Sequence, residues 1–206
     1  MLEIERNIFQ IFPINIFIER NFLSNDQCNS VLKILEKEET LKHSMLTGDS
    51  SSSFFSNNRI LKKISKCIDG LESKIQERID YLTNVSNICP CEITNSWFNI
   101  QNEESQLYMH AHGYSVMSGA LYVKADESSS DLVFLNPNYN AFSIEYINQN
   151  PTTLSVKPES GTLVIFPSYL AHGSWTYQNN SNKRIVISFN SSLVQHSPNK
   201  VNKKYK

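Results

Sequence analysis

His110-Ala-His-Gly-Tyr-Ser-Val-Met-Ser-Gly-Ala-Leu-Tyr-Val123 is the stretch on which the architecture turns. Its second half alternates side chains on a two-residue period, which predicts a half-buried strand over about 115–124. The preceding 105–111 carries the same rhythm and is expected to be a strand as well. On such a strand His110 and His112 would point to one face, so both imidazoles could meet one ion. From about residue 91 onward similar short segments recur near 92–101, 131–135, 153–157, 162–167, 172–177 and 183–193. Turn-forming stretches such as Asn136-Pro-Asn138 and Gln178-Asn-Asn-Ser-Asn182 separate them. About eight short strands in succession predict a β-sandwich or jelly roll.

Upstream the period is helical. Residues 8–18 are β-branched and aromatic, with Pro13 arguing for a sheet edge. Ser24 followed by Gln27 reads as a capping box opening a helix with Val31, Leu32 and Leu35 on one stripe. Residues 43–58 are polar and loop-like. A second helix is expected over about 57–82, with Ile60, Ile64, Cys67, Ile68, Leu71, Ile75, Ile79 and Leu82 at steps of three and four. That face reads as core, packed on a sheet. Residues 138–152 form a long connection of the kind that serves as a lid. The expected organisation is a single domain, 1–206: an N-terminal strand and two helices over 1–90, a β core over 91–195, and a flexible basic tail over 196–206.

With 40% hydrophobic and 11% aromatic residues in 206, the chain can bury a sizeable core. A net charge of −1 argues against coating nucleic acid or anionic membrane. Cys28, Cys67, Cys89 and Cys91 form no C-x-x-C pair, and no apolar run approaches membrane-spanning length. Met1–Arg6 opens with charges, so no secretory leader is expected; free thiols in a reducing cytoplasm fit best.

Three of the five histidines fall in the strand-rich half. His172 lies sixty residues beyond His112, after Gly161-Thr-Leu-Val-Ile-Phe-Pro167, and a jelly roll can return such a strand beside the first. Imidazole and carboxylate ligands in a facial set leave open positions on iron(II), as an oxygenase needs. Taken alone, H-x-H is more often a chance pair of surface or core histidines. His43 and His196, in polar surroundings, read as ordinary surface residues. Arg184, twelve residues past His172, opens the apolar segment Arg184-Ile-Val-Ile-Ser-Phe-Asn190. A charge there must find a partner, and a guanidinium matches a carboxylate in two-pronged fashion. By itself it reads more readily as an arginine at a strand end, solvated or capping a sheet edge.

Asn95-Ser-Trp-Phe-Asn99, the 110–123 stretch, Gly161–Ser168 with Leu170 and His172, and Arg184–Asn190 together resemble the small iron(II)/2-oxoglutarate oxygenases related to prolyl hydroxylases, found in bacteria and phages. The early Phe22-Leu-Ser-Asn-Asp-Gln-Cys28 resembles the helix entry of such enzymes. The resemblance implies a mainly β fold with N-terminal helices, a cupin-like double-stranded β-helix. It implies a mononuclear Fe(II) site and use of 2-oxoglutarate and O2 in hydroxylating an unactivated C–H bond, with a peptide or small metabolite as substrate. His110 and His172 match the outer metal ligands, and His112 the position where many relatives carry Asp or Glu. Either His112 coordinates, giving three imidazoles and one negative charge fewer, or it leaves the vacancy that halogenating relatives use. Arg184 matches the residue gripping the far carboxylate of 2-oxoglutarate. Tyr122, Ser188 and Asn99 match positions around that co-substrate, although Tyr122 reads equally as a core aromatic. Trp97, Asn99, Tyr114, Ser118 and Trp175 are candidate pocket-lining residues. A cupin-like metal enzyme that does not use 2-oxoglutarate, and a non-catalytic jelly-roll binding module, are the alternatives.

Overall fold

Ser24 starts the first helix as its sequence demands: its side chain accepts the Gln27 N–H at 3.3 Å, and the Gln27 side chain accepts the Ser24 N–H at 2.9 Å. These bonds satisfy two donors that a helix start leaves bare. The computed structural model describes residues 14–137, 152–174 and 178–194. In chain order they form β1 (Phe17–Glu19), α1 (Asn25–Leu35), β2 (Ser50–Ser52), α2 (Ile60–Ile64), α3 (Leu71–Val85), β3 (Cys91–Gln101), β4 (Met117–Lys124), β5 (Leu132–Leu135), β6 (Thr153–Val156), β7 (Leu163–Pro167), β8 (His172–Gly173) and β9 (Arg184–Leu193).

Two expectations need correcting. The helix read over 57–82 is two helices, α2 and α3. Gly70, at φ +67°, adopts the left-handed conformation that glycine tolerates, and the Ser65 hydroxyl accepts the Glu72 N–H at 3.0 Å across the break. Ile64, Ile68 and Leu71 stay buried through the turn, which preserves an apolar spacing resembling one continuous helix. Cys67, expected on that stripe, is exposed instead. The second correction is at 105–111. This segment forms no strand, only isolated bridges of Leu107 to Leu46 and of His110 to His172. The 138–152 connection falls, apart from Thr152, outside the described residues, as do the 196–206 tail and the segment before Ile14.

The strands form two antiparallel sheets, one ordered β1-β7-β4-β9-β3-β2 and the other β6-β5-β8, in a mainly β, double-stranded β-helix architecture. The larger sheet divides its side chains by the two-residue period. Phe98 on β3, Leu121 on β4, Leu163 and Ile165 on β7, and Ile187 and Phe189 on β9 pack against the buried faces of α1–α3. Their neighbours Ala120, Tyr122, Val164, Phe166 and Val186 face the smaller sheet, where Leu132, Phe134 and Val156 meet them. Between the two sheets the packing is incomplete, and that gap positions the site. β1 lies at the sheet edge, while Pro13, on which the edge expectation for 8–18 rests, is outside the described residues. No described helix is long and apolar enough to cross a membrane.

Ser24→Ala should lower stability by about 0.5–2 kcal/mol, the usual worth of an N-cap. Urea denaturation followed by far-UV circular dichroism measures it, and an unchanged midpoint would mean the capping box contributes nothing.

Candidate active site

His172 stands on β8 of the smaller sheet, and the loop carrying His110 is hydrogen-bonded directly to it. The His110 N–H donates to the His172 carbonyl at 3.0 Å, and the His172 N–H returns to the His110 carbonyl at 2.9 Å. The His112 N–H donates to the Ser168 carbonyl at 2.9 Å. The three rings gather, with centroids 4.9 Å apart for His110–His112, 4.5 Å for His110–His172 and 5.3 Å for His112–His172. One ring nitrogen from each lies within 4.8 Å of the others. The convergence therefore comes from a loop pinned to β8, not from a shared strand face.

Two of the rings have their tautomer set by the backbone. Nδ1 of His110 meets the Tyr108 carbonyl at 2.8 Å, and Nδ1 of His172 meets the Leu170 carbonyl at 2.8 Å. A carbonyl can only accept, so each Nδ1 carries the proton and each Nε2 presents a lone pair. Burial also favours the neutral form. Desolvation pushes His172 down to about 3 and His112 down to about 4, each with a smaller contribution from His110, and it lowers His110 too. The Phe166 ring, 4.5 Å from that of His172, supplies part of this apolar cover. Three neutral nitrogen donors facing one point could hold a divalent metal.

The imidazoles line a cavity of about 350 Å³ between the sheets. At one end stands Arg184, only 2% exposed. Its guanidinium donates to the Tyr122 hydroxyl at 3.3 Å and to Oε1 of Gln101, and its carbon lies 5.0 Å from the centre of the Tyr122 ring. Nε of Arg184 has no partner, and neither does Nε2 of Gln101. Burial raises the Tyr122 phenol, keeping it a neutral hydroxyl. No Asp or Glu among the described residues lines the cavity or pairs with Arg184. A buried guanidinium facing a cavity that shows no carboxylate among the described residues could seat an anion.

Asn99, Ser188, Trp97 and Ser118 also line this cavity. Tyr114 is fully exposed and does not, and Trp175 and His196 lie outside the described residues. Three further residues belong to the site. Gln101 is fully buried beside Arg184. His43, expected at the surface, lines the cavity with its ring stacked on Phe55 at 5.3 Å and set edge-on to Phe54 at 5.3 Å. Phe54 in turn meets Trp97 at 5.0 Å. The aromatic pair Phe54-Phe55 was the signal in an otherwise polar loop.

Gly173 lets the histidine loop close on β8. A Cβ there would lie 2.8 Å from the Leu107 carbonyl oxygen and 2.9 Å from both Met109 Sδ and the Tyr108 carbonyl oxygen. Gly173→Ala should therefore displace His110 and weaken divalent-metal affinity by about ten- to hundredfold, the range seen when support for a ligand is lost. Isothermal titration with Ni(II) checks it, and unchanged affinity would sink the argument. For the metal-free protein the three lowered imidazoles set the sign of a pH effect. Between the ordinary value of 6.5 and their folded values, the unfolded chain binds more protons. Stability is full above about pH 6.5 and is lost as the pH falls toward about 4. Thermal melts at about pH 7 and about pH 5 should show a lower Tm at the acid end.

Residues 95–190 match the family described as "Putative 2OG-Fe(II) oxygenase". No curated protein sequence matches the chain. Among solved structures, HygX from Streptomyces hygroscopicus with nickel and 2-oxoglutarate bound superposes with a TM-score of 0.61 at 11% identity, covering 88% of this chain and 84% of HygX. Another HygX structure holds hygromycin B as well, at a TM-score of 0.61, 10% identity and the same coverage. A Pseudomonas putida prolyl-4-hydroxylase superposes with a TM-score of 0.57 at 11% identity, over 88% of this chain and 94% of the other.

Proposed function

We infer that this chain, a member of the 2OG-Fe(II) oxygenase family through residues 95–190, holds iron(II) on the Nε2 atoms of His110 and His172 and a ring nitrogen of His112, and anchors 2-oxoglutarate on Arg184. The observation that carries this reading is a buried guanidinium, without a carboxylate partner among the described residues, sharing one cavity with three converging neutral imidazoles. Bound iron supplies the redox chemistry that couples oxidative decarboxylation of 2-oxoglutarate to oxygenation of a C–H bond. The chain's own part is placement. Arg184 takes the far carboxylate, and the neutral Tyr122 hydroxyl donates to the same oxygens. Gln101 orients the guanidinium through its Oε1, while Asn99 and Ser188 border the co-substrate. Phe166 covers the buried His172 imidazole and keeps water from it.

His112 belongs to the ligand set in this reading, because its ring nitrogen meets the others and nothing else described competes for it. Three imidazoles carry no charge, so they hold iron(II) less tightly than a set containing a carboxylate. A peptidyl side chain is the substrate class favoured by likeness to prolyl-4-hydroxylase, and this part of the proposal rests on fold analogy. Four free cysteines support a cytoplasmic setting. The sharing of β4, β7 and β9 by both apolar clusters supports one domain, with 1–90 packed on a core of 91–195.

Succinate formed from 2-oxoglutarate in the presence of iron(II) tests the activity. Arg184→Ala should raise the 2-oxoglutarate KM roughly tenfold or more, since losing a hydrogen bond to a charged group costs about 1.5–3 kcal/mol. Arg184→Lys should lose less, keeping the charge without the fork. An unchanged KM in Arg184→Ala would remove the co-substrate assignment.

A further inference from the structure

His43 differs from the other histidines of the cavity in where its proton sits. Its Nδ1 accepts the Met45 backbone N–H at 3.2 Å, so the proton is on Nε2. His110 and His172 are the reverse, with Nδ1 donating to carbonyls. His43 therefore offers a hydrogen-bond donor where the other two offer lone pairs, and it is not among the converging metal-binding nitrogens. Stacking on Phe55 and edge contact with Phe54 fix the ring, yet no acceptor among the described residues takes the Nε2 proton.

Asn95 presents the complementary deficiency. It lines the same cavity, and its Oδ1 is buried without a donor. On β3 it shares a face with Trp97, two residues on, and Phe54 connects Trp97 to His43. In register Asn95 lies opposite Asn190, whereas Gln101 lies opposite Arg184. Six residues of strand, roughly 20 Å at 3.3 Å per residue, therefore separate Asn95 from the anion seat. That distance puts Asn95 on the far side of the cavity from the end where the co-substrate is anchored.

The described lining contains no Asp, Glu or Lys, and its one fixed charge is Arg184. A charged group entering at the Asn95 end would be desolvated with no counter-ion among the described side chains. We propose that His43 and Asn95 form the primary-substrate subsite and that it takes a neutral amide, whose N–H donates to Asn95 Oδ1 and whose carbonyl accepts from His43 Nε2. Trp97 and Phe54 form the apolar wall against which the rest of the group lies. This inference rests on the co-substrate reading above, because 2-oxoglutarate must occupy the Arg184 end for the Asn95 end to be left to the primary substrate.

The test uses the full chain loaded with Mn(II) and 2-oxoglutarate, with probe binding read from paramagnetic relaxation of the probe's protons. Matched probes are N-acetylglycinamide, which is neutral, N-acetylglycine, an anion, glycinamide, a cation, and glycerol, a polyol. N-acetylglycinamide should bind most tightly. His43→Phe and Asn95→Leu should each weaken it at least fivefold while the 2-oxoglutarate Kd stays within twofold, and His43→Gln, which retains a donor, should recover most of the loss. A blocked triglycine amide that binds more tightly than N-acetylglycinamide assigns the amide to a peptide; equal binding assigns it to a small carboxamide. Tighter binding of a charged probe or of glycerol, or equal binding to wild type and both variants, overturns the proposal. Failure of the wild type to bind 2-oxoglutarate overturns the co-substrate reading, and this inference with it.

Discussion

Strand β9 is hydrogen-bonded along both edges, to β3 and to β4, and the rest of the structure hangs on that ladder. Its alternation sends Ile185, Ile187 and Phe189 into the helix-covered core, Phe189 also reaching the cavity wall, and turns Arg184, Val186, Ser188 and Asn190 toward the cavity. The apolar set locks the register, since a one-residue slip would carry every core side chain to the wrong face. The polar set inherits its positions from that lock. Arg184 is thus placed by Ile185, Ile187 and Phe189, although none of them touches the cavity chemistry in the manner of a ligand.

Burial acts on the two halves of the site in opposite ways. It drives the imidazoles to their neutral, metal-binding form, because an imidazolium would be desolvated without a counter-ion. The guanidinium has no such escape and keeps its charge. Its partners are the Tyr122 hydroxyl and the Gln101 carbonyl oxygen, neutral groups that orient the cation without cancelling it. One cavity consequently holds uncharged lone pairs and a cation without a carboxylate partner among the described residues, a combination suited to a metal and a dicarboxylate together.

The β-rich half was legible because a two-residue period survives in any half-buried strand: 92–101, 115–124 and 183–193 fall on β3, β4 and β9. The Ser24 cap was legible because it depends on four consecutive residues. The break between α2 and α3 was not, since the turn at Gly70 keeps Ile64, Ile68 and Leu71 on one side and imitates a continuous stripe. His110 and His112 were grouped correctly in space but for the wrong local reason, because the loop holding them takes its shape from β8, sixty residues away.

By itself the sequence determined the alternating strands, the capped helix and the residue types a metal and a carboxylate would want, all of which are local in the chain. Only the tertiary structure decided that His43 and Gln101 join the site and that Tyr114 does not. It alone showed which ring nitrogens carry protons. These depend on partners such as backbone carbonyls, a neighbouring guanidinium and a second sheet, which reach the site through folding and leave no periodic mark along the chain.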